Sequence, residues 1–227
     1  MPEVFLTRYW SRKIDQRAVD DYAMASLVLM ENAGRGCADL LEGLGIRGLV
    51  VICCGKGNNA GDGFVIARHL DARGHAVKIL LWCDPEQLRG DAAWNYRVAR
   101  QANIEVVDCS DRLGVDWLAQ ELDGADWIVD ALLGTGSAGA PRPPLDAVIH
   151  VLNQHSANKF AVDLPSGLDC DTGDAARPTF RADHTATFVA PKVGFQSNAA
   201  KSCLGIVHCI DIGAPRKLLD EIFGQVE

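Results

Sequence analysis

The sequence predicts an α/β fold: a three-layer, doubly wound, Rossmann-like and mostly parallel sheet with helices on both faces, preceded by an N-terminal helical extension. Three observations predict it. Seven short apolar runs of strand length recur along the 227 residues. Most are separated by stretches whose apolar residues repeat with helical spacing. The runs are continuously apolar rather than alternating, as expected of strands covered on both faces.

In chain order, Ile14, Ala18, Val19 and Tyr22 share one helical face after Ser11, the expected N-cap. A second helix is expected over 26–44, with Leu27, Met30 and Ala33, then Cys37, Leu40 and Leu41, as its apolar positions. From Gly48 the period changes, and Leu49-Val50-Val51-Ile52-Cys53-Cys54 reads as the first buried strand. Further strands are expected at 77–82, 104–107, 127–132, 160–164, 185–189 and 206–210. Helical patterns occupy 62–73, 90–101, 113–122, 145–154 and 216–223. No repeat, low-complexity tract or Pro/Ser linker marks a boundary, so residues 1–227 read as a single domain.

Composition excludes several function classes. Lys and Arg total 22 against 30 Asp and Glu, a formal net charge of −8, which argues against coating nucleic acid. No stretch approaches the roughly 18 apolar residues of a membrane span. The opening Met1-Pro2-Glu3-Val4-Phe5 lacks a basic region followed by an apolar run, so no signal peptide and a cytoplasmic location are expected. The eight cysteines form no C-x-x-C pair, and several sit inside apolar runs, where a reduced thiol packs as a small hydrophobe. The six histidines show no zinc-site spacing.

In such sheets ligands bind beyond the carboxyl ends of the strands. After the first strand comes Gly55-Lys56-Gly57-Asn58-Asn59-Ala60-Gly61-Asp62-Gly63, a loop that lets the backbone approach an anion at the next helix start. Gly55, Gly57 and Ala60 also fit the dinucleotide fingerprint, with Asp84 as a ribose ligand, although little chain remains for a dehydrogenase's catalytic domain. Lys56 lies on the wrong side for a Walker A loop. The run ending at Asp130 is followed by a second glycine loop, Gly134-Thr135-Gly136-Ser137-Ala138-Gly139-Ala140. Asp130 is either a cation ligand or a cap on neighbouring backbone N–H groups. The next run delivers Asp163 and Ser166 to the same edge, with Leu164 where a hydrolase elbow needs glycine. Lys192 follows the next run, as an electrophile or acid or as a plain surface lysine. Asn59, Asp130 and Ser166 offer only hard oxygen donors, which suit an alkali or alkaline-earth cation rather than zinc. These ends describe a small-molecule site for something phosphorylated.

Five segments in order resemble the YjeF N-terminal type, the NAD(P)H-hydrate epimerases, in a stand-alone form. They are Leu29-Met30-Glu31-Asn32-Ala33-Gly34, Gly57-Asn58-Asn59-Ala60-Gly61-Asp62-Gly63, Asp130-Ala131-Leu132-Leu133-Gly134-Thr135-Gly136, Asp163-Leu164-Pro165-Ser166-Gly167 and Pro191-Lys192-Val193-Gly194. The resemblance implies interconversion of the R and S epimers of hydrated NADH and NADPH. It also implies a separate dehydratase as functional partner. It implies that Asn58, Asn59, Ala60, Gly61, Asp62, residues 134–140 and Asp163 hold the substrate, and that Asn59, Asp130 and Ser166 ligate potassium. Asp163 and Lys192 become the expected catalytic pair. Inversion needs a hydroxyl protonated as it leaves and a water oriented to return. Two other readings stand beside the epimerase. One is an interaction scaffold of the same fold, as among apolipoprotein-A-I-binding and mRNA-decapping relatives; the other is an NAD-dependent dehydrogenase. The amphipathic N-terminal helices fit either a homodimer face or packing on their own domain.

Overall fold

The computed structural model describes residues 4–112 and 114–226. In chain order they form α1 (Arg8–Tyr22), α2 (Ser26–Leu44), β1 (Leu49–Cys54), α3 (Asn58–Ala72), β2 (Val77–Leu81), α4 (Gly90–Gln101), β3 (Glu105–Asp108) and α5 (Leu118–Glu121). Then follow β4 (Ala125–Ala131), α6 (Leu145–Gln154), β5 (Asn158–Val162), β6 (His184–Phe188), α7 (Asn198–Leu204), β7 (Ile206–Ile210) and α8 (Arg216–Phe223). The strands make one seven-stranded sheet in the order β3-β2-β1-β4-β5-β6-β7. Every pairing in it is parallel.

The apolar runs behave as their composition requires. Along β1, Val50, Ile52 and Cys54 enter the core under α2, α3 and α4, with Phe64, Leu70 and Ala99. Val51 and Cys53 point the other way, into the core under α5 and α6 with Leu118, Val148 and Leu152. Both cores are closed to solvent, which gives the helix–sheet–helix layering. The Gly34 of the second-helix motif sits where α2 crosses α3: a Cβ there would lie 2.4 Å from Val65 Cβ. No disulfide joins the described cysteines, and seven of them are buried. No described helix is long and apolar enough to cross a membrane.

Several boundaries move, each for a local reason. α1 starts at Arg8 and is capped by Thr7, whose hydroxyl accepts from Trp10 N at 3.3 Å. Ser11 therefore lies inside the helix rather than at its cap. α3 begins within the glycine loop, at Asn58. The helix expected over 113–122 shrinks to the turn Leu118–Glu121 after Gly114 at φ +69°; its expected first residue, Leu113, lies outside the described residues. α7 is an element the apolar pattern missed, started by Ser197, whose hydroxyl accepts from Ala200 N at 3.0 Å. β5 and β6 stop short of the expected 164 and 189 because Asp163 (φ 68°) and Val189 (φ 67°) turn the chain into the left-handed region. The N-terminal helices are no loose extension. α1 joins α8 in a separate apolar cluster through Ile14, Ala18, Leu218 and Ile222, and α2 packs on α3.

Candidate active site

The strand order reverses between β1 and β4, and the crevice opens there. Gly55 makes the reversal possible by close approach: its N–H donates to Ala131 O at 3.1 Å, and a Cβ would fall 2.1 Å from Leu132 O. The ends of β1 and β4 are thus drawn together.

Asp130, at the end of β4, is fully buried. Its Oδ1 accepts from the Ser166 hydroxyl at 2.7 Å and from Leu132 N at 3.1 Å, and its Oδ2 accepts from Ser166 N at 2.7 Å. Ser166 Oγ in turn accepts from Leu133 N at 2.9 Å. Burial pushes the Asp130 carboxyl up to about 6 against these hydrogen bonds, because no basic side chain reaches it. The capping role open at the sequence level is therefore real. The cation question turns on Asn59. Its side chain is buried with both Oδ1 and Nδ2 lacking a partner, and Oδ1 lies 3.4 Å from the Cβ position of Gly134, next to Leu133. An unpartnered buried amide oxygen and a buried carboxylate with no basic partner are oxygen donors of the kind a hard cation takes. Among the described residues, no group of three or more His, Cys, Asp or Glu forms a metal site.

Lys192 is no surface lysine: it is 1% exposed. Its Nζ stands 3.3 Å from Asp163 Oδ1 and donates to Phe188 O at 3.1 Å and Ala190 O at 3.4 Å. Asp163 Oδ2 accepts from Thr135 N in the second glycine loop at 3.1 Å. The pair is held by three backbone groups and opens onto a cavity of about 150 Å³, also lined by Asn58, Asp62 and Thr135. Asp62 is buried in the first turns of α3. Burial first, then the charges of Asp163 and Asp15, push its carboxyl well above the usual range.

The predicted residues divide by place. Asn58, Asp62, Thr135, Asp163 and Lys192 share the small cavity. Ser137, Ala138, Gly139 and Ala140 line a larger groove of about 590 Å³ with Lys56, Asp84 and Arg142. Gly134, Ser137, Gly139 and Ala140 also border a third, of about 320 Å³. Gly136 lies nearest Arg12 of α1. Ala60 and Gly61 line none of these grooves: they are buried under Met30 and α4, and their N–H groups turn back to Gly57 O. Sequence reasoning missed Ser11 and Asp15 of α1, which line the small cavity. Their spacing of four residues on one helical face was the available signal.

Residues 26–194 match the family described as YjeF-related protein N-terminus. The chain is 51% identical over 213 residues to the NAD(P)H-hydrate epimerase of Pirellula staleyi, covering 93% of each. It is 45% identical to the NAD(P)H-hydrate epimerase of Rhodopirellula baltica, over 92% of this chain and 84% of that one. The bifunctional NAD(P)H-hydrate repair enzyme Nnr of Moorella thermoacetica is 39% identical over 91% of the chain, which spans 40% of that enzyme. The crystal structure of the yeast protein ynu0 superposes with a TM-score of 0.78 at 22% identity, covering 98% of this chain and 93% of that one, and so shares the fold.

Proposed function

Because this chain belongs to the YjeF-related N-terminal family, we propose that it is an NAD(P)H-hydrate epimerase, an isomerase that interconverts the R and S forms of hydrated NADH and NADPH. The observation that carries the reading is the buried Asp163–Lys192 pair facing a ring-sized cavity, in a chain 51% identical to an enzyme named for that activity.

The chemistry needs no redox partner. The C–O bond of the hydroxyl-bearing ring carbon breaks as the hydroxyl takes a proton and leaves as water. The adjacent ring nitrogen supplies its lone pair and the carbon becomes a planar cation. A water then adds from the other face, forms the new C–O bond and gives up a proton. Asp163 carries the proton at a carboxyl oxygen, with Thr135 N–H and Lys192 fixing its two oxygens. Lys192, anchored on Phe188 O and Ala190 O, supplies a fixed positive charge and a route for the proton.

The hydrated ring enters the small cavity past Asn58 and Asp62, and the rest of the dinucleotide lies across residues 134–140 into the larger groove, where Lys56 and Arg142 meet its phosphates. Ala60 and Gly61 shape that helix start from beneath. Asn59, Asp130 and Ser166 would hold a potassium ion, which would supply the counter-charge that Asp130 lacks. The product feeds a dehydratase, a partnership suggested by the bifunctional repair relatives. The protein works in the cytoplasm, as a homodimer. An interaction scaffold has no need of a fully buried lysine set on a carboxylate in a cavity.

The test is exchange of the isolated R form of hydrated NADH in potassium buffer, with the S form followed by chromatography. Rapid conversion that falls at least about 100-fold in Asp163→Asn supports the epimerase. Conversion at the spontaneous rate, with the hydrate still bound, makes the chain a binding module.

A further inference from the structure

Inversion has a requirement that one carboxylate does not meet. The hydroxyl leaves from one face of the ring and water returns to the other, so a proton must be handled on each face. Asp163 is fixed on one side by Thr135 N–H and Lys192, and Lys192 is tied to two carbonyls.

The N-terminal segment brings a second acid to the same cavity. Leu6 pairs across Lys192, donating to Pro191 O at 2.8 Å and accepting from Val193 N at 3.0 Å. Arg8 N donates to Asp171 Oδ1 at 2.7 Å and Arg8 Nη2 to Asp169 Oδ2 at 3.0 Å, which docks the start of α1 on the loop after β5. Ile14 and Ala18 face the core, leaving Ser11 and Asp15, one turn apart, to line the cavity with Asp163 and Lys192. The Ser11 hydroxyl is sequestered there without a partner in the chain, a polar atom in place for a ligand.

Resting on the epimerase reading, we propose that Asp15 is a second catalytic residue, handling the proton on the ring face that Asp163 does not serve. Its surroundings suit the task. Asp15 is solvent-accessible, so its proton exchanges with water, yet the cavity crowds its carboxyl. That crowding and the charge of Asp163, partly offset by Lys192, bring it up to about 6. The acidic groups facing it are Asp62 of α3, Asp91 at the start of α4, and Asp163. Asp62 is the poorer candidate, being buried in the first turns of α3, away from exchange with solvent.

The two-face scheme has its own signature, because loss and return of water on one face exchanges oxygen without inversion. Each pure epimer of hydrated NADH is incubated with the full chain in ¹⁸O-water, and inversion and isotope uptake are followed separately. In Asp15→Asn, inversion falls at least about 100-fold while one epimer still takes up ¹⁸O at a rate within about tenfold of wild type. Asp163→Asn retains exchange, if at all, only in the opposite epimer. Asp15→Glu keeps the carboxyl and recovers at least about a tenth of the rate, which separates chemistry from helix docking. Inversion at the wild-type rate in Asp15→Asn overturns the proposal. So does equal loss of inversion and of exchange in both epimers by a folded protein that still binds the hydrate. A wild-type chain that inverts nothing overturns the epimerase reading itself.

Discussion

Replacing Lys192 by methionine keeps the length and apolar stem of the side chain and removes its charge. Two opposite charges 3.3 Å apart attract by about 5 kcal/mol at an effective dielectric near 20. Removing one partner of a buried pair is expected to cost about 3–5 kcal/mol, because the other charge stays desolvated. Phe188 O and Ala190 O also lose their donor. For a chain of this size each kcal/mol moves the midpoint by about 2–4 °C, so Lys192→Met melts roughly 6–20 °C lower. Adding Asp163→Asn removes the orphaned charge, and asparagine tolerates the left-handed backbone at φ 68°. The double variant is therefore expected to be no less stable than Lys192→Met, with a coupling energy of at least about 2 kcal/mol. Urea unfolding of the four proteins, followed by circular dichroism, gives the cycle. Single effects that add to within about 0.5 kcal/mol would refute the claim that these side chains act as a desolvated pair.

Potassium at 100 times its dissociation constant should stabilise the chain by about 2.7 kcal/mol relative to a bulky monovalent cation, roughly 5–11 °C in a melting scan. Asp130→Asn should abolish that increment, and an unchanged increment would place the ion elsewhere. Gly55→Ala sets a Cβ 2.1 Å from Leu132 O, where neither backbone yields readily. A loss of about 3 kcal/mol or more is expected in urea unfolding, and a loss under about 1 kcal/mol would show that the strand ends move apart freely. The Asp169 carboxylate accepts from Thr172 N and Asp171 N and pairs with Arg8, which holds it below its ordinary range. A depressed folded value means stability present above the unfolded value near 4 and lost as pH falls through the folded one. Arg8→Ala should thus lower stability by about 1 kcal/mol at pH 7, with the difference closing below pH 4; an equal deficit at both would show that packing, not charge, is lost.

The middle of the sheet was legible because β1 and β4 are buried on both faces and read as nearly continuous apolar runs, whereas the edge strands β3 and β7 are half-buried and exposed. The placing of Asp163 and Lys192 at the carboxyl edge of the sheet was legible because each follows closely on such a run. Legibility failed where backbone or side-chain hydrogen bonds overrule apolar spacing. β5 and β6 end early at Asp163 and Val189 in the left-handed region, which apolar spacing does not signal and which is an outlier for a β-branched valine. Ser11 is as good an N-cap by composition as Thr7, and only the docking of Leu6 and Arg8 decides between them. For the same reason the sequence alone does not assign Asp15 to the site. What turns its face of α1 inward is a contact between residue 8 and residues 169 and 171, a separation no local pattern carries.

The distribution of unfavourable features argues for chemistry over scaffolding. Left-handed φ values at an aspartate and a β-branched valine each cost on the order of 1–3 kcal/mol, and both lie at the ends of neighbouring strands, on the cavity. Within the same crevice stand a buried carboxylate without a cationic partner, Asp130, an asparagine with both side-chain polar atoms unsatisfied, and a lysine 1% exposed. The two sheet faces, by contrast, are packed with apolar residues at zero or near-zero exposure. A chain selected only for binding through its surface would relieve that edge by ordinary substitution, since each change stabilises it. Strain and unmet polarity gathered at one strand edge are what a binding or catalytic site concentrates, and a scaffold has no use for.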